Sequence, residues 1–353
     1  MEFGVVLQTD PPARRTIELA MMAEAAGFTH LWTFDSVVLW EEPFVIYSQI
    51  LGQTRRIRVG PMVTNPVTRD PTVTAALFAT LNEMFGPRTI CGIGRGDSAV
   101  RVAGMRPANL DQVARTIAVV KGLVEGREVQ WGGRRLRFPW VSEGQLDVLM
   151  GAYGPKALEI VGRHADGLIL QLGDPVVAEW AIAQVRLAAT RAGRDPTALK
   201  ICVAAPAYVG EDLPHQREQL RWFGGMVGNH VAEIVRRYGA DSALVPQGLT
   251  GYVEDRRGYD YSHHGRVDNP SVGFVTDEVV DRFCLLGPIS AHKERLSALA
   301  ELGVDQFAVY LMHDQQEDTM AAYGREIIGS MPGSIVTRDR AQYGPWTRPT
   351  AGL

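Results

Sequence analysis

Cysteine is scarce in this chain: Cys91, Cys202 and Cys284 are the only three in 353 residues, odd in number and far apart. Such a set builds no disulfide framework. It fits a reducing compartment, the cytoplasm, with each thiol acting as a small core hydrophobe. Positive charge is not in excess, with 36 Lys and Arg against 40 Asp and Glu and a net charge of -4. That leaves no basic footprint for nucleic acid and no polybasic patch for a membrane surface. Apolar runs all fall short of the roughly 20 residues that span a bilayer. The opening MEFGVVLQTD has neither the basic n-region nor the cleavage site of a secretory signal. Clustered metal ligands are missing too. The adjacent pair His263–His264 has no cysteine or acid at ligand spacing, and neighbouring side chains of an extended segment point to opposite faces. No metal is expected, and one histidine of that pair at most touches a substrate.

What is present is an alternation. Short β-type runs at 3–8, 30–34, 57–64, 89–94, 146–152, 167–172, 199–209 and 305–311 are separated by longer runs of helical period. The first helical run, 13–27, repeats apolar residues at Ile17, Ala20, Met21 and Ala25 and stops at Gly27. Pro71 opens another and Gly86 closes it. Eight strands alternating with helices demand parallel pairing with right-handed crossovers. The fold class is α/β, a (β/α)8 TIM barrel over residues 1–330, with an open doubly wound sheet as the runner-up. Two stretches break the rhythm: a short extended excursion at 126–145 and a long insertion at about 210–289. The insertion reads as a lid or substrate wall late in the barrel. Trp222 and Phe223 within it read as packing. Residues 331–353, rich in Pro, Gly and Arg, read as an extended C-terminal tail.

A barrel gathers the residues that follow its strands on one face. The chemistry-bearing stretch there is CGIGRGDS, residues 91–98. It is not a dinucleotide fingerprint, because Asp97 stands at the third glycine position and a carboxylate there repels a pyrophosphate. The neighbouring strand ends contribute Gln8, Asp35, Ser36, Met62, Val63, Thr64, Asn65, Arg95, Gly96, Gly151, Ala152, Tyr153, Gly154, Gln171 and Gly173. Glycines, amides and small groups dominate, with two acids. Such a set suits a planar polar ring lying close to backbone. His313, just after the last strand, is at the correct face for a substrate contact.

Five segments, in this order and spacing, resemble the coenzyme F420-dependent branch of the bacterial luciferase-like superfamily, which includes methylenetetrahydromethanopterin reductase. They are ELAMMAEAAGFTHLWTFDS, RIRVGPMVTNPVTRDPTVTAALFATLNEMFGPR, CGIGRGDSAV, MGAYGPKALEIVGRHADGLIL and DEVVDRFCLLG. The resemblance implies roles. Asp35 falls on an acid beside the cofactor ring, and Met62 and Val63 on a non-prolyl cis peptide behind its central face. Arg95 to Asp97 fall on the loop against the ring, with Asp97 in place of a glutamate proton donor. Ala152, Tyr153 and Gly154 fall where backbone N–H groups meet the cofactor phosphate, with Gln171 and Gly173 beside it. Trp40 matches a tryptophan near the substrate. Ser36 stands where the branch's sugar-phosphate dehydrogenase has a histidine, and Tyr153 where a glycine is usual, so that enzyme's acid–base scheme is not carried over.

The implied activity is hydride transfer between coenzyme F420 and a small organic substrate, with Asp97 and Asp35 as catalytic candidates. FMN-dependent oxygenation on the same fold is the alternative, and a cofactor-free binding homologue the third reading. The resemblance also implies a homodimer.

Overall fold

The computed structural model describes residues 1–238, 261–269 and 272–331. The C-terminal tail from 332 onward lies outside the described residues, as does the middle of the insertion.

The chain begins with β1 (Glu2–Leu7), α1 (Ala13–Ala26), β2 (His30–Thr33), α2 (Pro43–Gln53), β3 (Arg58–Pro61), α3 (Pro71–Phe85) and β4 (Cys91–Ile93). Local signals place these elements. Gly27 ends α1 in the left-handed region at φ 95°. Asp70 caps α3 by accepting from the Thr72 N–H at 2.8 Å, with Pro71 at the first helical position. A one-turn α4 (Ser98–Val102) follows β4, and α5 (Leu110–Val124) opens on a reciprocal capping box between Asn109 and Gln112. The excursion at 126–145 is a small antiparallel hairpin of β5 (Val129–Trp131) and β6 (Arg134–Leu136).

The second half runs β7 (Val148–Gly151), α6 (Pro155–His164), β8 (Gly167–Leu170), α7 (Pro175–Arg191), β9 (Lys200–Val209) and a long α8 (Leu213–Tyr238). It ends with α9 (Asp277–Phe283), β10 (Leu285–Gly287), α10 (Ile289–Glu301), β11 (Gln306–Tyr310) and α11 (Gln316–Ala322). Parallel strands pair in the order β3-β2-β1-β11-β9-β8-β7-β4. The two ends of that path meet through backbone bonds, Ile90 N to Val59 O at 3.0 Å and Thr64 N to Gly92 O at 2.9 Å, which close the barrel. The eight strands are the eight read from the sequence, and the expected TIM-type barrel is present.

Three elements of the insertion, α8, α9 and β10, were not read from the sequence. β10 is three residues long and pairs with the end of β9, too short to show a period. α8 runs through Gly224, Gly225 and Gly228. A Cβ on Gly224 would stand 2.5 Å from the Val275 side chain, so that glycine admits close packing of the segment before α9. Trp222 and Phe223 are fully buried and pack against Tyr310, as packing residues should. The three cysteines are free and buried. Among the described residues no helix is long and apolar enough to cross a membrane, and no group of three or more potential ligands could hold a metal.

Candidate active site

The C-terminal ends of the strands surround a cleft. Its floor comes from three strand ends. The Met62–Val63 peptide bond after β3 is cis, as the resemblance implies. The Val63 side chain lies against Gly94 and Gly151: a Cβ added to Gly94 would stand 2.8 Å from Val63 Cγ2, and one on Gly151 3.4 Å from Val63 Cγ1. The glycines therefore leave a flat, backbone-level bed around one valine. Gly96, at φ 78°, turns the next loop over Asn65, where any side chain would strain the backbone and collide.

One wall follows β2. Asp35 is buried, and Arg69 donates to both of its carboxylate oxygens at 2.9 Å. Arg69 also bonds Glu42 at 2.6 Å and lies over the Phe44 ring. A side chain so held fixes the geometry of the loop that follows β2. Ser36 and Trp40 line the same wall, both buried, and among the described residues neither the Ser36 Oγ nor the Trp40 Nε1 has a hydrogen-bond partner. The Arg266 guanidinium covers the Trp40 ring at 4.7 Å and pairs with Asp10 at 3.2 Å, tying the insertion to this side.

The loop after β4, which β3 alone separates from β2 in the barrel, carries Asp97. It stands at the N-cap position of α4 but makes no side-chain cap bond. Its carboxylate pairs with Arg101 instead. Burial works to raise its pKa, yet the charges of His230, Arg101 and His264 outweigh burial and hold the carboxyl below its usual range. This direction favours its carboxylate form. Tyr153 stacks on His230 at 4.5 Å and bonds the Gln171 amide oxygen at 3.0 Å. Gln171 in turn donates to Tyr310. Burial pushes the Tyr153 phenol well above its ordinary pKa.

At the end of the cleft, Gly154 is the N-cap of α6 with no side-chain cap bond, and Ala152, Gly154 and Lys156 line the cavity there. Arg95 also lines the cleft, its Nε donating to the Ala108 carbonyl at 2.7 Å. A helix N-terminus with Lys156 in its first turn is an anion-favouring end.

Five expected residues are not in the cleft wall. Gln8 donates through its side-chain amide to the Gly265 carbonyl at 2.5 Å. Thr64 and Asn65 lie behind the wall: Thr64 serves the barrel closure through its backbone, and the Asn65 Oδ1 accepts the N–H groups of Val67 and Thr68. Gly173 joins α9, bonding Phe283 through its N–H and Arg295 through its carbonyl. His313 is the main correction. It is buried, with Nε2 at 3.0 Å from the Ala207 carbonyl and Nδ1 accepting from Gln315 N. Both nitrogens hold backbone, so it is a core histidine. Of the His263–His264 pair, His264 lines the cleft against Phe34. Sequence reasoning missed Arg69, Arg101, Lys156 and His230. Only Lys156 left a local signal, one residue beyond Pro155 at the start of α6.

A closed barrel whose strand ends form a glycine-floored cleft with an anion-favouring end defines a class, that of cofactor-using (β/α)8 enzymes. Within it, the chain belongs to the luciferase-like monooxygenase family, whose sequence model matches residues 1–306. It is 27% identical over 347 residues to the 5,10-methylenetetrahydromethanopterin reductase of Methanolobus tindarius, covering 93% of this chain and 100% of that protein. The coenzyme F420 dependent tetrahydromethanopterin reductase of Methanopyrus kandleri superimposes with a TM-score of 0.71 at 21% identity, over 93% of this chain and 98% of the other. The oxygenating constituent of 3,6-diketocamphane monooxygenase from Pseudomonas putida, solved with FMN, gives 0.65 at 18% identity over 94% and 99%.

Proposed function

We propose that this protein is an oxidoreductase that transfers hydride between coenzyme F420 and a small organic substrate. The observation that carries the reading is the flat bed at Val63, Gly94 and Gly151, in a chain alignable almost end to end with an F420-dependent reductase. The residues fit such a cofactor. The bed accepts a planar ring, and the uncapped start of α6 with Lys156 suits its phosphate arm. When bound, the coenzyme supplies or accepts the hydride.

The protein's own residues orient the partners and exclude water. Val63 and its flanking glycines set the ring plane. The Asp35–Arg69 pair fixes the loop that holds Ser36 and Trp40. Ser36 Oγ and Trp40 Nε1, two buried donors, would hold an acceptor oxygen of the substrate. Met226 and His230 of α8, with His264, line the cleft, which supports reading the insertion as a substrate wall. The family's FMN-bound relatives define the second reading, because the same bed and helix end suit a flavin and its phosphate.

Parallel fluorescence titrations with F420 and FMN, each oxidised and reduced, test the assignment. Selective F420 binding is expected. A preference for FMN would move the protein to oxygen-using chemistry, and binding of neither would favour a cofactor-free homologue. Gly94→Val places a branched side chain on the bed, so it is expected to weaken coenzyme binding about tenfold to a hundredfold while the fold persists. An unchanged affinity would refute the ring position.

A homodimer in a reducing cytoplasm completes the proposal. Val45 on α2 and Val73 on α3 are exposed on neighbouring helices, which suits an apolar contact between copies. Light scattering after size exclusion is expected to give twice the 38.7 kDa of the chain, and a monomer at micromolar concentration would rule it out.

A further inference from the structure

Reduction of a C=O, C=N or activated C=C bond needs a proton as well as a hydride. The described cleft offers few sources. Asp97 is held as a carboxylate, and the Asp35 carboxylate is committed to Arg69. The Tyr153 phenol is pushed far from neutral pH by burial. Burial and the charge of His230 depress His264 to about 4, so it is neutral at pH 7. Arginine does not release its proton in proteins, and Lys156 stands at the anion-favouring end.

His230 remains, and its surroundings suit the task. It lines the cleft from α8 and lies flat on Tyr153, with ring planes 16° apart, which fixes its orientation. Asp97 feels its charge more strongly than that of Arg101 or His264. A carboxylate facing an imidazole favours the charged, proton-bearing form. The other charged and titratable groups on this side of the described cleft are Arg95 and Arg101 from the β4 end, Tyr153 and Lys156 from the turn into α6, and His264 from the insertion.

We propose that His230, carried into the cleft by the insertion, is the proton donor to the reduced substrate and the proton acceptor in reverse, with the Asp97 carboxylate as its counter-charge. The proposal rests on the hydride-transfer reading above. In the reductive direction the hydride reaches the electrophilic carbon with its electron pair. The π pair of the double bond moves to the far atom, which takes the proton as the imidazolium N–H bond breaks. Solvent then reprotonates the neutral imidazole.

Eight histidines make an NMR titration of imidazole-labelled full-length protein tractable. The resonance absent from His230→Phe is expected to titrate at lower pH in Asp97→Asn than in the wild type, by roughly one pH unit. No shift, or a shift to higher pH, would overturn the proposal. His230→Phe keeps a ring on Tyr153 but carries no proton. With reduced F420 and cyclohex-2-enone as the probe, kcat is expected to drop by about 10²- to 10⁴-fold, while the coenzyme Kd changes less than about twofold. Turnover by His230→Phe equal to wild type across pH would sink the proposal and leave the hydride-transfer reading standing. Failure of the wild type to bind F420 would sink that reading while the titration still reports on His230. Should the probe not turn over, the titration alone decides.

Discussion

Arg69→Met is expected to destabilise the protein by about 3–5 kcal/mol, the cost of leaving a buried charge without its partner. The Asp35 side chain is fully buried, and both its oxygens depend on the Arg69 fork. Water cannot reach the carboxylate to compensate. Arg69→Lys keeps the charge but loses the two-pronged geometry, so it should fall between wild type and Arg69→Met. The double variant Asp35→Leu/Arg69→Met removes both charges and should recover most of the loss, because a buried ion pair and an apolar pair of similar volume differ little in stability. Urea unfolding of the four proteins gives the cycle. A loss below about 1 kcal/mol in Arg69→Met would mean that the carboxylate reaches solvent and that the wall holding Ser36 and Trp40 is not anchored as described. Glu42, the other partner of Arg69, is partly exposed and should matter little.

The second large effect is a loss of stability at mildly acidic pH. His30, His292 and His313 are all buried, and burial depresses them to about 3, 4 and 4 respectively. Folded, they stay neutral over a range where the unfolded chain protonates its histidines, near pH 6.5. The unfolded state then binds more protons, so stability rises with pH across this window and falls on acidification. The window runs from about 6.5 down to about 4, and each histidine adds a slope of up to about 1.4 kcal/mol per pH unit. Depressed carboxylates such as Asp147, paired with Arg58 and Lys200, act in the same direction but only below the ordinary carboxylate range. The two contributions therefore separate on the pH axis. Urea midpoints at pH 7.5, 6 and 5 are expected to fall steadily. His292→Gln, which keeps a polar group near the Tyr323 hydroxyl and the Tyr208 carbonyl, should flatten the slope by one histidine's share. A midpoint constant down to pH 4.5 would show that these rings already carry protons in the native state.

The sequence by itself determined the barrel. Its signals are local: an apolar period of two or 3.6, a proline at a helix start, a glycine at a helix end, and the parallel pairing that alternation imposes. Each lies within a few residues of the element it specifies, so eight strands could be counted and closed without coordinates. The glycines of CGIGRGDS and of the turn after β7 were legible for the same reason, since a bare backbone at a strand end is a property of that strand. The tertiary structure alone decided which polar side chains meet. Arg69 reaches Asp35 across 34 positions, and His230 enters the cleft lined by Asp97 from a helix of the insertion. His313 stands at the correct strand end, yet its ring is turned to the Ala207 carbonyl and away from the cleft. Charge, burial and protonation depend on neighbours brought together from distant parts of the chain, and no local pattern records them. That is why Asp97 could be found in the sequence while its pairing with Arg101 could not.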